Sequence, residues 1–497
     1  MGEIIAFVLY FVVVLAIGLF FFFKTKSGGE KEYFLGGRQM GPWVTAMSAQ
    51  ASDMSAWLLM GLPGSILAFG FGQAWIGIGL AIGTALNWIF VAKRLRKFSM
   101  ASGDAITFPQ YLSNRFATTN PALKIVCAIV FLISFTIYVA SSFVAGTSVF
   151  TTLFPQLKES QAMIIFTLII LVYTFLGGFK AVSWTDFFQG ILMLIALLAV
   201  PIMIMATKTL DTSILSEVYV YEGKEHAFVA NFFNASAQDI ISGLAWGLGY
   251  FGMPHILVRF MGIKKPSMVK KSAIVAIIWV VISLAATILI AYFGRMMVGK
   301  ELIEAGNQKL VFVELARILF PGFVAGLLLA AIIAASMSTA DSQLLVASSS
   351  FTSDIYKPLI RKNASDKETL WVGRIVVIIV AVVAYFIASS KTSGAQAIMD
   401  MVENAWGLFG AAFGPVVILS LFWKRFTYKG ALAGIISGAV VDIVWFIWIK
   451  NLTGIYEILP GFIIGLVFSV VVSLIDKKPS AEIEAIFERA TDKTIDE

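Results

Sequence analysis

Long apolar runs constrain this chain more than any other feature of its sequence. A helix needs about 20 apolar residues to cross the hydrocarbon core of a bilayer. Thirteen runs of roughly that length are bounded by charge, glycine or proline, at about 4–23, 42–68, 71–92, 123–153, 161–180, 186–206, 238–260, 272–298, 320–350, 369–390, 397–422, 429–449 and 456–475. The sequence therefore predicts an all-α polytopic membrane protein with 13 transmembrane helices.

Composition agrees and excludes several other classes. Hydrophobic residues make up 59% of the 497 residues and charged residues 13%, against about 45–50% and about 25% in soluble domains. No break in composition marks a soluble domain, so we expect one transmembrane domain over residues 1–476 and a short tail over 477–497. A single cysteine, Cys127, excludes a disulfide framework, and no Cys/His cluster has metal-ligand spacing.

The distribution of basic residues predicts the orientation. The net charge is +7, but the basic residues occupy short loops between apolar runs, which argues against a nucleic-acid partner. With alternating spans and the N-terminus outside, 28 of the 37 lysines and arginines fall on the inner side. Since cytoplasmic loops are enriched in Lys and Arg, we expect the N-terminus outside and the tail in the cytoplasm. The first run has no basic region before it and no cleavage site after it, so it is interpreted as a retained helix.

The second run has a polar middle. Four polar residues lie near its centre: Gln50, Ser52, Asp53 and Ser55. A charge at that depth is costly unless it faces protein or a water-filled cavity. We expect Gly61, Pro63 and Gly64 to weaken the helix just beyond, as in the broken helices that form binding sites in transporters.

The seventh run shows a similar interruption. Four glycines and a proline lie between Ser242 and Pro254, in the fifth span after the second one. Paired interruptions of this kind indicate an inverted repeat, here spans 2–6 against spans 7–11. Small residues also allow helices to pack closely, which is the alternative for the glycines.

The ninth run supplies oxygen ligands. Ala335, Ser338 and Thr339 lie on one helix face, and carbonyls of Ala51 and Met54 would be released where the second span unwinds. A hard cation such as Na+ prefers oxygen ligands. These five residues therefore predict a Na+ site, although a Ser-Thr pair alone also occurs as a contact between membrane helices.

Five segments of the chain resemble the sodium:solute symporter family: Ala51–Gly64 (ASDMSAWLLMGLPG), Tyr173–Asp186 (YTFLGGFKAVSWTD), Trp246–His255 (WGLGYFGMPH), Met337–Thr339 (MST) and Gly430–Gly434 (GALAG). Within the family the chain is similar to the sodium/proline symporters. The resemblance covers nearly the whole chain. It implies the LeuT-like 5+5 inverted-repeat fold, with helices 2 and 7 broken and the N-terminus outside.

The resemblance also implies residue roles. The family's Na+ site falls on Ala51, Met54, Ala335, Ser338 and Thr339, with Asp53 and Ser55 assigned to Na+ affinity or to holding the unwound backbone. Substrate contacts fall on Trp57, Gly61, Tyr138, Trp246, Tyr250 and Pro254. Aromatic walls and a glycine floor suit proline, which has an apolar ring and a charged carboxylate. Arg38 and Pro254 match positions linked to gating; Arg38 fits an inner-side anchor equally well.

A second cation site is a further hypothesis. Some similar symporters hold a second Na+ at positions equivalent to Asp186, Ser338, Asp341 and Ser342. In the alternative, Asp341 pairs with a basic residue such as Arg259 or Arg374.

Together these features predict Na+-driven uptake of L-proline by alternating access in the cell membrane. Another amino acid, a sugar or a vitamin carboxylate is the alternative substrate. No G-x-x-x-x-G-K-[ST] motif for ATP occurs, and the aspartates fit no hydrolase motif, so no enzyme activity is expected. The tail is too short for the output domain of a sensor. Expected partners are the solute, Na+ and membrane lipids, with no obligate protein partner.

Overall fold

The computed structural model describes residues 1–24, 29–176, 178–221, 223–390 and 395–492, and this part of the chain is almost entirely helical. The helices of the first half are α1 (Gly2–Lys24), α2 (Glu30–Leu35), α3 (Pro42–Asp53), α4 (Gly61–Phe69), α5 (Phe71–Leu86), α6 (Lys93–Ala101), α7 (Phe108–Arg115), α8 (Ala122–Leu153), α9 (Glu159–Leu176) and α10 (Phe179–Thr207). A π-helical turn, Asn87–Ala92, joins α5 to α6.

A two-stranded antiparallel hairpin, β1 (Tyr219–Tyr221) and β2 (Lys224–His226), separates the two halves. The second half contains α11 (Ala237–Ala245), α12 (Pro254–Gly262), α13 (Val269–Glu304), α14 (Val311–Leu319), α15 (Gly322–Ser350), α16 (Asp366–Ser389), α17 (Ala395–Phe422), α18 (Tyr428–Val444), α19 (Lys450–Thr453), α20 (Ile458–Ile475) and α21 (Ala481–Thr491). Helix α15 continues as π-helix to Ile360, and Trp445–Ile449 joins α18 to α19.

Ten helical segments in the described part of the chain are long and apolar enough to cross a membrane. They are α1, α5 with α6, α8, α10, α13, α15, α16, α17, α18 with α19, and α20. A bent pair made of α11 with its continuation and α12 passes the same test as one unit. Two further apolar helices, Ala56–Phe69 and Glu159–Phe175, are shorter. The coarse prediction of a polytopic helical membrane protein is confirmed.

The second apolar run unwinds at Met54, beside the carbonyls that the sequence predicts to be released, and not at Gly61 or Pro63. The backbone leaves the α-helix at Met54 and re-enters at Gly61, with a 3-10 turn over Ala56–Leu58 between them. Gly61 and Pro63 form the first turn of α4 and do not interrupt it. A proline fits there because the N–H groups of a first helical turn have no partner within the helix.

The boundary between the fifth and sixth runs is also displaced. Helix α9 ends at Leu176 and α10 begins at Phe179, several residues before the predicted start. Gly178 takes an extended conformation there, with φ −132° and ψ −177°, and separates the two helices. Asp186 therefore lies two turns inside α10, where it is fully buried, and does not open the span.

We call the end of the bundle that carries β1 and β2 the hairpin face, and the end that carries α21 the tail face. Helix α21 packs against α6, where Phe487 contacts Phe98, and Lys424 pairs with Glu484 and Glu488. The polar segment after Ile475 thus includes a docked helix.

The centre of the bundle is built from α15 and α17, which are mostly buried, while α1, α18 and α20 expose apolar side chains outward. Helix α15 packs against α1, α8 and α10, and α3 packs against α10, α12 and α13. This packing places the unwound backbone after α3 beside α15.

Candidate functional site

The first break frees backbone groups in the protein interior. Asp53 is the last residue of α3, and Met54 is non-helical, with φ −81° and ψ 76°. Ser55 begins the short 3-10 turn, and its hydroxyl accepts a hydrogen bond from Trp57 N at 3.4 Å. All four side chains are at most 2% exposed. Unwound backbone at this depth is tolerated where neighbouring protein or a cavity supplies partners.

The second break lies between α11 and α12. Helix α11 continues as a 3-10 helix over Trp246–Phe251, and the two helical arms meet at 43°. Pro254 starts α12 at its first position, as the loss of its N–H allows. Gly252 fits only without a side chain, because a Cβ there would lie 2.3 Å from Phe409 O. The predicted interruption of the seventh run is thus observed.

A direct contact joins the two broken regions. Tyr250 Oη donates to Asp53 Oδ2 at 2.6 Å, and Tyr138 Oη on α8 donates to the Asp53 carbonyl at 3.4 Å. Asp53 Oδ1 is buried and has no hydrogen-bond partner among the described residues. The sequence assigns Asp53 to the ion and the tyrosines to the substrate, and it does not reveal that they touch.

Helix α15 contacts the unwound segment through Ser338. Its hydroxyl lies 2.7 Å from Ala51 O and 3.2 Å from Ala335 O. Thr339 Oγ1 is buried and has no hydrogen-bond partner in the described part of the chain. These oxygens are the ligand type that Na+ prefers. Four of the five residues predicted for the cation thus lie along this contact, and Met54 lies buried at the adjoining break.

Aromatic rings line the region between the breaks. The rings of Trp57 and Trp246 lie 6.3 Å apart, and Trp57 stands one turn before Gly61. A Cβ on Gly61 would approach Met399 Sδ to 2.8 Å, so this position has no room for a side chain. Trp57, Tyr138, Trp246 and Tyr250 are each at most 3% exposed. The structure therefore brings five of the six predicted substrate residues together, and Pro254 lies at the start of α12.

Three neighbours of this group were not predicted. Trp406 on α17 donates from Nε1 to Trp246 O at 2.8 Å, and its ring lies 5.0 Å from Tyr250. The ring of Tyr456 lies 5.0 Å from Trp246, and Met399 contacts the Gly61 position. The bulky aromatic Trp406 beside Gly407 in a core helix is the sequence signal that could have found it.

A cavity of about 350 Å³ reaches this aromatic group from the hairpin face. Its lining includes Trp246, Met399, Glu403, Lys450 and Tyr456. The half-buried Asp239 and the exposed Gly454 also line it. The cavity therefore extends from the hairpin face to Trp246.

Asp186 belongs to a second buried polar group. Arg259 Nη2 lies 3.0 Å from Asp186 Oδ2 and 2.5 Å from Ser342 Oγ, and Arg259 Nε donates to Ser48 Oγ. Ser342 in turn lies 3.3 Å from Asp341 Oδ1. Arg259 thus pairs with Asp186 and reaches Asp341 through Ser342.

Arg374, the other basic residue considered for Asp341, lies elsewhere. Its guanidinium is 4.9 Å from the Phe175 ring centre and 5.2 Å from that of Trp371. Asp186 Oδ1 and Asp341 Oδ2 have no hydrogen-bond partner among the described residues. Asp186, Asp341 and Ser342 therefore lie close together, and the Arg259 side chain lies among them.

Arg38 lies at the tail face, beside the end of α12. It donates to Met261 O at 2.5 Å, near the end of α12, and to Ala105 O at 2.8 Å, and it pairs with Asp104 at 2.8 Å. Beside it, Met40 O accepts from Lys264 N at 3.0 Å. These contacts join the segment before α3 to the end of α12.

Known proteins share this chain's sequence and fold. The model of the sodium:solute symporter family matches residues 33–438. The chain is 43% identical over 484 residues to sodium/proline symporter 2 of Staphylococcus saprophyticus, covering 95% of this chain and 93% of the relative. It is 42% identical to the sodium/proline symporter of Staphylococcus aureus, covering 97% and 94%.

Two solved structures share the fold. A Na+-coupled sialic acid symporter in a substrate-bound outward-open state matches with a TM-score of 0.71 and 19% identity, covering 97% of this chain and 99% of that chain. A nucleobase-cation-symport-1 family transporter in a closed conformation matches with a TM-score of 0.55 and 14% identity, covering 92% and 98%. With these matches and its apolar helices, the chain is a multi-pass membrane transporter and a member of the sodium:solute symporter family.

Proposed function

We propose that this transporter couples inward movement of Na+ to uptake of L-proline by alternating access. The observation that carries the proposal is one continuous set of contacts. Ser338 on α15 reaches Ala51 O at 2.7 Å, and Asp53, two residues on, receives Tyr250 at 2.6 Å. An ion bound at the first contact would stabilise the unwound backbone that holds the second. Ion binding would thereby order the substrate wall.

Na+ is assigned to Ala51, Met54, Ala335, Ser338 and Thr339. Carbonyl and hydroxyl oxygens match the ion's chemistry, and the free Thr339 hydroxyl gives the ion a ligand without breaking a hydrogen bond. Asp53 supplies negative charge next to this group and receives Tyr250. Ser55 holds the turn by capping Trp57 N.

Proline is assigned to the space between the breaks. Trp57, Trp246 and Tyr250 would enclose its ring, with Gly61 as the floor and Tyr138 and Pro254 at the sides. Unwound N–H groups and helix N-termini stabilise a carboxylate. Relatives at 43% and 42% identity over nearly their full length are named sodium/proline symporters. Another small solute, such as a different amino acid, a sugar or a vitamin carboxylate, is the alternative.

Thirteen spans result if α3 with α4, α9, and the bent pair of α11 and α12 each count as one span with the ten longer ones. The repeats would then be α3–α10 and α11–α17, each beginning with a broken helix. A pair of short helices supports this symmetry. Helix α7 in the first half and α14 in the second each lie between the second and third spans of their half.

The same model places the hairpin face and the N-terminus outside and the tail face in the cytoplasm of a cell membrane. The basic residues of α6 and its neighbours lie at the tail face, as the charge rule requires. Residues 1–476 would form a single transporter domain surrounded by lipid, with a short tail and no obligate protein partner. Arg38 and the nearby backbone pairing would close the cytoplasmic side.

One Na+ per proline is proposed. A second cation at Asp186, Ser338, Asp341 and Ser342 would have to share its place with Arg259, which already compensates Asp186 at 3.0 Å. A buried carboxylate with a guanidinium partner does not require a mobile cation. We therefore favour an arginine over a second cation at this place, although Arg259 pairs with Asp186 and reaches Asp341 only through Ser342.

Uptake of radiolabelled proline into proteoliposomes tests the proposal. A Na+ gradient directed inward should drive accumulation, and its collapse with an ionophore should abolish it. Unlabelled proline should compete, while other amino acids, sugars and vitamin carboxylates should not. Absent or gradient-independent uptake contradicts the proposed function, and better competition by another solute supports the alternative substrate.

A further inference from the structure

A further group of charged side chains, two of them buried and two half-buried, lies near the hairpin face, away from the proposed Na+ site. Four side chains form it: Glu403 on α17, Asp442 on α18, Lys450 on α19 and Glu457 just before α20. Lys450 Nζ lies 2.9 Å from Glu403 Oε1 and 3.1 Å from Glu457 Oε2. Two of the three carboxyl groups thus pair with the single ammonium group.

Two of these carboxyl groups have unpartnered oxygens. Asp442 is 3% exposed and Glu457 is fully buried. Asp442 Oδ1 and Glu457 Oε1 have no hydrogen-bond partner among the described residues. A Cβ on Gly407 would lie 3.0 Å from Asp442 Oδ1 and 3.4 Å from Glu457 Cγ, so both side chains converge on the space that this glycine leaves.

Charge balance shows what this group lacks. With every group ionised, the three carboxylates and Lys450 sum to a net negative charge in a buried place. Asp400 and Asp239, the other acids nearby, add no positive charge. An isolated buried carboxylate is very unfavourable, and two carboxyl groups that share a site accommodate this by binding a proton between them. The described residues include no group of three or more His, Cys, Asp or Glu side chains arranged to hold a metal ion.

The charged group also contacts the wall of the cavity. Tyr456 Oη donates to Glu403 O at 2.8 Å, and the Tyr456 ring lies 5.0 Å from Trp246. Glu403 and Lys450 line the same cavity. If Lys450 moved from Glu403 toward Glu457, the Glu403 backbone and the Tyr456 ring beside Trp246 would therefore shift.

We propose that Asp442 and Glu457 hold one proton between them, and that this proton-binding site controls the Tyr456–Trp246 wall of the cavity. When the proton is lost, Lys450 is drawn toward the deprotonated pair and away from Glu403. The Tyr456–Trp246 wall then loses the ordered contact between Tyr456 and Glu403. Uptake should therefore fall as the pH on the hairpin side rises.

Infrared spectroscopy of the purified full-length protein tests the proton directly, without reference to the transported solute. Wild type at neutral pH should show the carbonyl band of a protonated carboxyl that both Asp442→Asn and Glu457→Gln remove. Glu301→Gln, a change at an exposed acid outside the group, should leave it. Persistence of the whole protonated-carboxyl band in both variants overturns the proposal.

Lys450→Met supplies a second, independent variant if the acid variants do not insert. Removing this ammonium group leaves more uncompensated charge, so the protein should take up an additional proton and the band should grow. An unchanged band contradicts the proposal.

The consequence for transport rests on the proposed function and has its own readout. Na+-driven proline uptake by wild type should fall with rising external pH, and Asp442→Asn should lose that fall. If Asp442→Asn removes the infrared band but leaves the pH profile of uptake unchanged, the shared proton is supported and its control of the cavity is overturned. Failure of uptake in wild type at every pH rejects the proposed function and leaves the infrared result standing.

Discussion

Asp53 and Asp186 are both buried carboxylates in the membrane interior, but their surroundings differ in one respect. Asp186 pairs with the Arg259 guanidinium at 3.0 Å and accepts from Ser48 at 2.7 Å. Asp53 has no charged partner among the described residues. Tyr250 donates to its carboxylate at 2.6 Å, and Tyr138 and the Ser55 N–H donate to its carbonyl. Asp186 therefore has a countercharge supplied by the protein, and Asp53 does not.

This difference indicates which acid couples to a mobile ion. A buried carboxylate needs a compensating charge, and Arg259 supplies it to Asp186 from within the protein. A carboxylate that is bonded only to a tyrosine can take its compensating charge from a mobile ion. Asp53 is therefore the better candidate for Na+ coupling, and Asp186 for holding the helices together.

The largest effect should follow from Arg259→Met. Breaking a buried ion pair from one side costs about 3–5 kcal/mol, since Asp186 is left without its partner. The variant should unfold at a markedly lower temperature and accumulate less in the membrane. The double variant Arg259→Met with Asp186→Asn should recover most of this loss, because neither charge remains. A single variant as stable as wild type would show that Asp186 is compensated in another way.

Tyr250→Phe should have the next largest effect. It removes a hydrogen bond to an ionised group, worth about 1.5–3 kcal/mol, and thereby weakens the link between the broken helices. The Na+ concentration for half-maximal uptake should rise roughly tenfold or more. Tyr111→Phe is the matched control, since Tyr111 bonds Ser420 at 2.9 Å near the tail face. Equal shifts in both variants would argue against a special role for Tyr250.

Much of this architecture could be predicted from the sequence. Apolar runs indicated the spans, and clustered glycines indicated the second break, because hydropathy and helix-breaking residues act locally. The Ala335, Ser338 and Thr339 face follows from helical spacing alone. Local patterns of this kind do not depend on which helices pack together.

The remainder depends on long-range packing. The contact of Tyr250 with Asp53 joins residues 197 positions apart. The sequence offered Arg259 as a partner for Asp341, whereas the structure pairs it with Asp186. The expected weakening at Gly61 and Pro63 was wrong because these residues look like helix breakers, although they begin α4. Tertiary contacts around Asp53 decide where that backbone unwinds.

A smaller effect concerns Arg38 and its exposed partner. Partial burial raises the pKa of Asp104, but the hydrogen bond from Lys31 and the charge of Arg38 outweigh it, so the net shift is downward. The pair therefore stabilises the protein above the ordinary pKa of an aspartate and loses this contribution as pH falls through the lowered value. Asp104→Asn should cost less than about 1 kcal/mol at neutral pH.

Thermal unfolding across pH checks this prediction. The difference between wild type and Asp104→Asn should vanish in acid. Asparagine tolerates the positive φ of 54° at this position, so the backbone is preserved. Glu482→Gln, a change at an exposed acid of α21, should show no such pattern. A difference that persists in acid would assign the effect to something other than the carboxylate charge.

The smallest effect is expected for Asp341→Asn on the coupling ratio. If Arg259 takes the place of a second cation, wild type and variant should both move one Na+ per proline. Parallel fluxes of labelled Na+ and proline in proteoliposomes measure this ratio. A wild-type ratio of two that falls to one in the variant would establish the second cation site.

Binding of radioactive Na+ to the purified protein tests the central claim most directly. Ser338→Ala combined with Thr339→Ala removes two ligand hydroxyls and should weaken Na+ binding roughly 10- to 100-fold. Ser336→Ala is the control on the same helix, because its hydroxyl bonds only Ile332 O at 3.0 Å, and it should bind Na+ as wild type does. Unchanged Na+ affinity in the double variant would contradict a coupling ion held between α15 and the unwound end of α3.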